Sequence, residues 1–185
     1  EKIGWSQRPA KPRTLRDKNW LIGYGMATAT HIGFRSAGAA KVTVQADGRM
    51  LVQSATQDMG TGTYTILTQL AAAELGVAVE QVTVELGDTR LPPAPMSGGS
   101  MTAASVGPAV QAAAQHAISQ LKVLAARDPQ SPLHSKRPEE LGVDHGALFV
   151  YTQQQQRESF TALLRRLRLP SVVGEASVDA PENNA

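Results

Sequence analysis

The stretch Lys41-Val-Thr-Val-Gln-Ala46-Asp47-Gly48-Arg49-Met50-Leu-Val-Gln-Ser54 decides the fold. Val42, Val44 and Ala46 alternate with Thr43 and Gln45. Met50, Val52 and Ser54 then alternate with Leu51 and Gln53. A period of two places each set on one face of a strand. Asp-Gly between two such runs predicts an antiparallel hairpin, because glycine readily takes the left-handed backbone of a tight turn. A hairpin excludes an all-parallel sheet.

Outward from the hairpin the period changes. Leu67, Leu70, Ala71 and Glu74 predict a helix over residues 63–75 that stops at Gly76. Residues 81–86 alternate again, with Val82, Val84 and Leu86 inward. A loop rich in Pro, Gly and Ser fills 89–101. Val106, Val110, Ala113, Ala117, Leu121 and Leu124 fall at three- and four-residue steps, which predicts a long Ala-rich helix over 102–127. A loop covers 128–138 and a short helical turn 138–141. Residues 147–151 read as a strand and Gln153 to Gln156 as a solvated loop. Residues 159–169 read as a helix capped by Ser159 and stopped by Pro170. The segment 171–178 is extended. Upstream, a strand is expected near 22–29. Strands and helices interspersed in this way predict an α+β fold, a mixed or antiparallel sheet with helices packed on one face.

Composition bounds the function. The chain has 185 residues, enough for one domain or at most two small ones. Lys plus Arg is 18 against 16 for Asp plus Glu, a net charge of +2 that gives no case for a dedicated nucleic-acid binder. The absence of cysteine excludes disulfides, thiolate metal sites and a Cys nucleophile within the chain. No apolar run approaches the length of a membrane span. Residues 1–18 carry Lys2, Arg8, Lys11, Arg13, Arg16 and Lys18 with no apolar stretch of a signal peptide behind them, and read as a basic connecting segment. Residues 19–178 form the expected domain, and the polar 179–185 a linker. Both ends read as cuts from a longer protein.

Two glycine-rich loops carry the chemistry. Asp58-Met-Gly-Thr-Gly-Thr63 precedes the first helix and Ser97-Gly-Gly-Ser-Met-Thr-Ala-Ala-Ser105 opens the second. Small residues let a backbone approach a ligand, and free N–H groups at a helix start favour an anion. Thr61 and Thr63 hydroxyls offer further donors. Two such loops suit a phosphate-bearing cofactor or a binding module for a phosphorylated small molecule. Each also suits a plain turn and cap in a structural domain. Neither is a P-loop or a dinucleotide fingerprint. His31, His116, His134 and His145 lack metal-ligand spacing, and no nucleophile elbow is present. Asp58 and Asp88 read as turn or cap residues, Met59 and Met101 as core filling. Arg165, Arg166 and Arg168 read as a solvated helix face.

Six segments in order resemble one family. They are Ile3-Gly-Trp-Ser-Gln-Arg-Pro9, Asp58-Met-Gly-Thr-Gly-Thr-Tyr-Thr65, Ala73-Glu-Leu-Gly76, Leu86-Gly-Asp-Thr89, Ser97-Gly-Gly-Ser100 and Thr102-Ala-Ala-Ser-Val106. The sequence from about residue 3 to 178 is similar to part of the molybdenum-cofactor-binding subunit of the xanthine dehydrogenase and aldehyde oxidase family. The bacterial branch, in which this subunit is a separate large chain, resembles it most. The resemblance implies that Gly60, Thr61 and Gly62 approach the molybdenum cofactor. Thr61 stands where many members carry a Gln that donates near the metal. It implies that Gly98, Gly99, Ser100, Thr102, Ala103, Ala104 and Ser105 hold the pterin and its phosphate or nucleotide tail, in the cytosine dinucleotide form. It also implies oxidation of an aldehyde or N-heterocycle with oxygen from water, with electrons leaving through iron–sulfur centres and FAD on partner subunits.

A glutamate serves the family as general base in a glycine-flanked motif near the end of the subunit. Gly174-Glu175 lacks the second glycine and lies too early to be that motif. The chain is thus expected to hold no catalytic residue, to ligate no metal itself and to be inactive alone. The cytoplasm is the implied compartment, or the periplasm where a partner carries the export signal.

Overall fold

The structure, a computed structural model, describes residues 2–30 and 33–180. Glu1, His31 and residues 181–185 of the expected linker lie outside them. The chain divides into two compact units, Glu1–Ile32 and Gly33–Ala185. The expected boundary after Lys18 falls inside the first.

The first unit opens with a 3-10 turn at Trp5–Gln7. Strands β1 (Arg16–Asp17) and β2 (Trp20–Leu21) form a minimal antiparallel ladder. The Arg8 guanidinium lies 4.0 Å over the Trp5 ring, and Tyr24 meets that ring edge-on at 6.5 Å. No described residue of this unit is buried. The strand expected at 22–29 does not form. Ile22 N–H bonds back to Leu15 O and closes the small hairpin, and no core in this unit rewards alternation beyond it.

In the second unit, β3 (Gly38–Gln45) and β4 (Met50–Ser54) form the expected hairpin. Gly48 sits at φ +95°, and Asp47 accepts the Arg49 N–H, so the Asp-Gly pair makes the turn for the predicted reason. Helix α1 (Thr63–Leu75) ends at Gly76 in the left-handed conformation, whose N–H reaches back to the last carbonyls. It crosses over to β5 (Val82–Leu86), which pairs parallel to β4. Helix α2 (Thr102–Arg127) follows. Strands β6 (Leu141–Asp144), β7 (Ala147–Val150) and β8 (Gln153–Ser159) form a separate antiparallel sheet. Helix α3 (Phe160–Arg166) starts at Ser159, whose hydroxyl caps Ala162 N–H as expected, and β9 (Ser171–Val178) ends the unit. The main sheet runs β5-β4-β3-β9, with β3 antiparallel to both neighbours. Val42, Val44, Met50, Val52, Val82 and Val172 bury on the face that α1 and α2 cover. The fold is therefore the α+β arrangement expected.

Helix α2 lies unusually close to β9. A Cβ on Gly174 would overlap the Ala113 carbonyl oxygen and stand 2.5 Å from Ala117 N. Alanines on the helix and glycine on the strand bring two backbones into contact. Gln120 Nε2 then donates to Val173 O at 2.7 Å, and His116 Nδ1 lies 3.0 Å from Glu175 O. The outward carbonyls of this edge strand are met by the helix, which blunts the edge. His116 is thus engaged with the β9 backbone.

Three further points depart from expectation. Gln153 to Gln156 is not a loop but the start of β8, an exposed edge strand whose register slips between Phe149 and Val150. Its pairing with β7 is tertiary and leaves no local signal. Strand β6 was not foreseen. Its hairpin to β7 turns at His145-Gly146, both at positive φ, where asparagine or aspartate usually gives the cue. Arg166 is not on a solvated face. It pairs with Asp128 at 2.6 Å and with Glu158, whose side chain is 4% exposed, and Ser131 donates to Glu158 at 2.7 Å. The Glu158 carboxylate holds the guanidinium above its ordinary pKa. Asp128 is held below its own, by the Gln130 N–H first and Arg166 second. These charges tie the end of α2 to β8 and α3.

Gly174→Val is expected to lose about 3 kcal/mol, because backbone on both sides cannot yield. Thermal unfolding should fall by roughly 6–12 °C, while Gln154→Ala on the exposed edge should stay within about 0.5 kcal/mol. Glu158→Ala leaves the guanidinium short of a partner and should cost about 3 kcal/mol in denaturant titration.

Candidate functional site

The site starts from a backbone clasp. Ala39 and Ala55 donate their N–H groups to Pro93 O and Pro92 O, both at 2.8 Å. Prolines have no N–H, so this segment serves the ends of β3 and β4 as acceptor only. It carries residues 97–101 to the side of residues 57–62. Ser97 then fastens to the first loop. Its N–H donates to Gln57 Oε1 at 2.9 Å and its hydroxyl to Gln57 O at 2.9 Å. Thr63 donates to the same carbonyl at 3.3 Å, and Thr102 donates to Ser97 Oγ at 3.2 Å. Thr63 and Thr102 are the first residues of α1 and α2. A chain of hydrogen bonds therefore braces one helix start against the other.

A cleft of about 360 Å³ lies between them. Met59, Thr61, Thr63, Ile66 and Leu67 line one wall. Ser97, Gly98, Gly99, Ser100, Thr102 and Ala103 line the other. Two loops well separated in the chain thus share one concavity. Gly60 and Gly62 shape the first loop at φ +93° and +84° and do not line the cleft. Ala104 and Ser105 turn away from it. The Ser105 hydroxyl accepts the Ser36 N–H at 2.9 Å. Ala104 O accepts Arg35 Nε at 3.2 Å. Pro108 explains the second bond, since it lacks the N–H that would otherwise take the Ala104 carbonyl.

The loops differ electrostatically, which the sequence reading did not distinguish. Asp58 accepts from Gly60 N at 2.8 Å, Thr61 N at 3.0 Å and Tyr64 N at 3.2 Å. These bonds hold the carboxyl below its ordinary pKa, the Gly60 N–H contributing most. The chain's own carboxylate occupies the anion position at the start of α1. The Asp58 carboxylate thus takes N–H groups that the first loop would otherwise offer an anion, in keeping with its reading as a turn or cap residue. The Thr63 hydroxyl, expected as a free donor, is spent on Gln57. The start of α2 has no acidic residue in its first turn. Its leading N–H groups have no intrahelical partners and open beside Gly98, Gly99 and Ser100. Of these two helix starts, that of α2 is the one without a carboxylate on its N–H groups.

Met59 does not fill the core. It is 66% exposed and lines the cleft. Met101 is partly buried, and its sulfur accepts the Ser36 hydroxyl at 3.6 Å. Gln57, Ile66 and Leu67 were not among the expected residues. Ile66 and Leu67 lie one turn into α1, where helical period would have put them beside the loop. Among the described residues, no group of three or more His, Asp or Glu side chains could hold a metal. No helix there is long and apolar enough to cross a membrane.

Comparison with known proteins shows the family. The molybdopterin cofactor-binding domain family matches residues 1–182, and the chain belongs to that family. It is 38% identical over 130 residues to the aldehyde oxidoreductase molybdenum-binding subunit PaoC of Escherichia coli K12, covering 70% of this chain and 18% of that protein. It is 34% identical over 134 residues to aldehyde oxidase 1 of Macaca fascicularis, covering 68% of this chain and 10% of that protein. Quinoline 2-oxidoreductase from Pseudomonas putida 86 superposes with a TM-score of 0.68 at 21% identity, over 80% of this chain and 19% of that one, and shares the fold. The chain spans under a fifth of each of these three proteins.

Asp58→Ala is expected to lower the thermal midpoint at pH 7 while leaving the fold intact. The folded carboxyl has the lowered pKa, so its contribution is complete above the ordinary Asp value and fades as pH falls through the folded one. Melting curves of the two proteins should converge in acid. A gap that persists below that range would assign the loss to packing instead.

Proposed function

We propose that this chain is part of a molybdenum hydroxylase that oxidises aldehydes or N-heterocycles, and that residues 19–178 supply one segment of its pterin site. The observation that carries the reading is the meeting of both family loops across one cleft, with Thr61, Gly98, Gly99, Ser100, Thr102 and Ala103 on its walls. Relatives named as aldehyde oxidoreductase and aldehyde oxidase support the reaction class.

The residues present fit one part of the cofactor. The start of α2 offers unpaired N–H donors, and Gly98 and Gly99 allow close backbone approach, as a phosphate requires. The wall of Met59, Ile66 and Leu67 is apolar and suits a planar ring. The Asp58 carboxylate disfavours a second anion at the first loop, so the Thr61 side of the cleft suits a neutral or donating group. A cleft of about 360 Å³ holds a portion of a dinucleotide-sized ligand, and the remainder would rest on other parts of a larger subunit.

When bound, the cofactor supplies two-electron oxidation with oxygen taken from water. This chain's share is to hold and orient it. The general base, the substrate pocket, and the iron–sulfur and FAD centres belong elsewhere in the reading, so the 185 residues are inactive alone. The cytosine dinucleotide form and a cytoplasmic setting complete the proposal.

The decisive experiment is metal and pterin analysis of the full-length protein purified with its neighbouring subunits from a host able to insert the cofactor. Stoichiometric molybdenum and a fluorescent pterin oxidation product are expected. Gly99→Val, at φ +55° beside the cleft, should reduce both by more than half. Absence of both from the parent protein would favour a binding module for another phosphorylated molecule.

A further inference from the structure

We infer that Gln57 is a positioning residue that sets the gap between the two glycine loops and so decides whether the cleft can take a phosphate-bearing ligand. This rests on the phosphate-binding reading of the cleft. Gln57 is exposed and lines no cavity wall, yet it stands at the centre of every hydrogen bond that the structure places between the two loops.

Its main chain and side chain do different work. The carbonyl accepts from Thr63 on α1 and from Ser97 on the second loop. Any residue would supply that oxygen. The side chain bridges two backbones. Its Nε2 donates to Ala55 O at 3.0 Å, and its Oε1 accepts Ser97 N–H at 2.9 Å. Ala55 is itself clasped to Pro92. Glutamine has the donor and the acceptor that this span needs, on one amide plane.

The bridge matters because the bonds beyond it are serial. Ser97 Oγ donates to the Gln57 carbonyl and accepts from Thr102, the first residue of α2. If Ser97 drifts, Thr102 loses its acceptor and the loop in front of the open N–H groups of α2 loses its anchor to the first loop. The first loop needs no such help, since Asp58 already fixes it from within. The Gln57 side chain therefore acts on the second loop selectively, and that loop is the one with free donors.

The test uses the 185-residue chain with inorganic pyrophosphate as probe, followed by amide NMR and hydrogen exchange. Gln57→Leu removes both bonds of the side chain and leaves the main-chain carbonyl in place. Gln57→Glu keeps the acceptor for Ser97. In Gln57→Leu the Ser97 amide is expected to exchange at least tenfold faster, with Val42 and Val44 unchanged. In Gln57→Glu the Ser97 amide stays slow. Pyrophosphate should shift the amides of Gly98, Gly99 and Ala103 in the parent chain, and bind at least fivefold more weakly to Gln57→Leu. Unchanged Ser97 exchange, or equal pyrophosphate affinity in Gln57→Leu, overturns the inference. If the parent chain does not bind pyrophosphate, the phosphate reading of the cleft falls, and the claim that Gln57 sets its ligand competence falls with it. Ser97 exchange then shows separately whether the side chain still fixes the loop.

Discussion

The contact of α2 with β9 at Gly174 is the constraint on which the second unit is built. With no side chain between them, the helix backbone rests on the strand. That fixes the height of α2 over the sheet, and the rest of its length follows. Ala113, Ala114, Ala117 and Leu121 bury completely along its inner face. Gly107 lets Leu70 of α1 approach closely, so the two helices share one layer. Alanine-rich packing has little aromatic bulk to bury. It compensates by dense backbone proximity, which gains many small dispersion contacts.

The same helix delivers its other end to the cleft. Its C-terminus is held by Asp128 and the Arg166 pair, its middle by Gly174, and its first turn by Arg35 and Ser36. A helix fixed at three points presents its N-terminal donors in one direction. The Pro92–Pro93 clasp does the corresponding work for the loop in front of it. The cleft is made by rigid supports on both sides, though its walls are partly loops.

The hairpin, both long helices and β9 were legible because each has its own period and its own stop signal. Gly76 and Ser159 act where the sequence places them. What escaped was whatever depends on a distant partner. The glutamine strand is polar throughout and becomes a strand only beside β7. Arg166 looks like any helix-surface arginine until Glu158 and Asp128 are brought to it. In the site, the glycines announced both loops. Their facing each other depends on Ala39, Ala55 and two proline carbonyls. The occupation of the first loop by Asp58 was half visible, since a cap was expected, but a cap and an anion compete for the same N–H groups. Gln57 gave no cue, because a lone glutamine before a turn has many ordinary uses.

One consequence concerns the order in which the chain assembles. Strand β3 lies between β4 and β9, and well over a hundred residues separate it from the second of these partners. On a ribosome adding ~5–20 residues per second, β3 waits on the order of 10 s for β9 to be made. The hairpin can close at once, but the layer beneath α2 cannot, because the strand that meets its backbone follows the helix in the chain. Contacts of such separation slow folding and leave a strand edge open to strangers. For that interval the β9-facing edge of β3 has no partner from its own sheet.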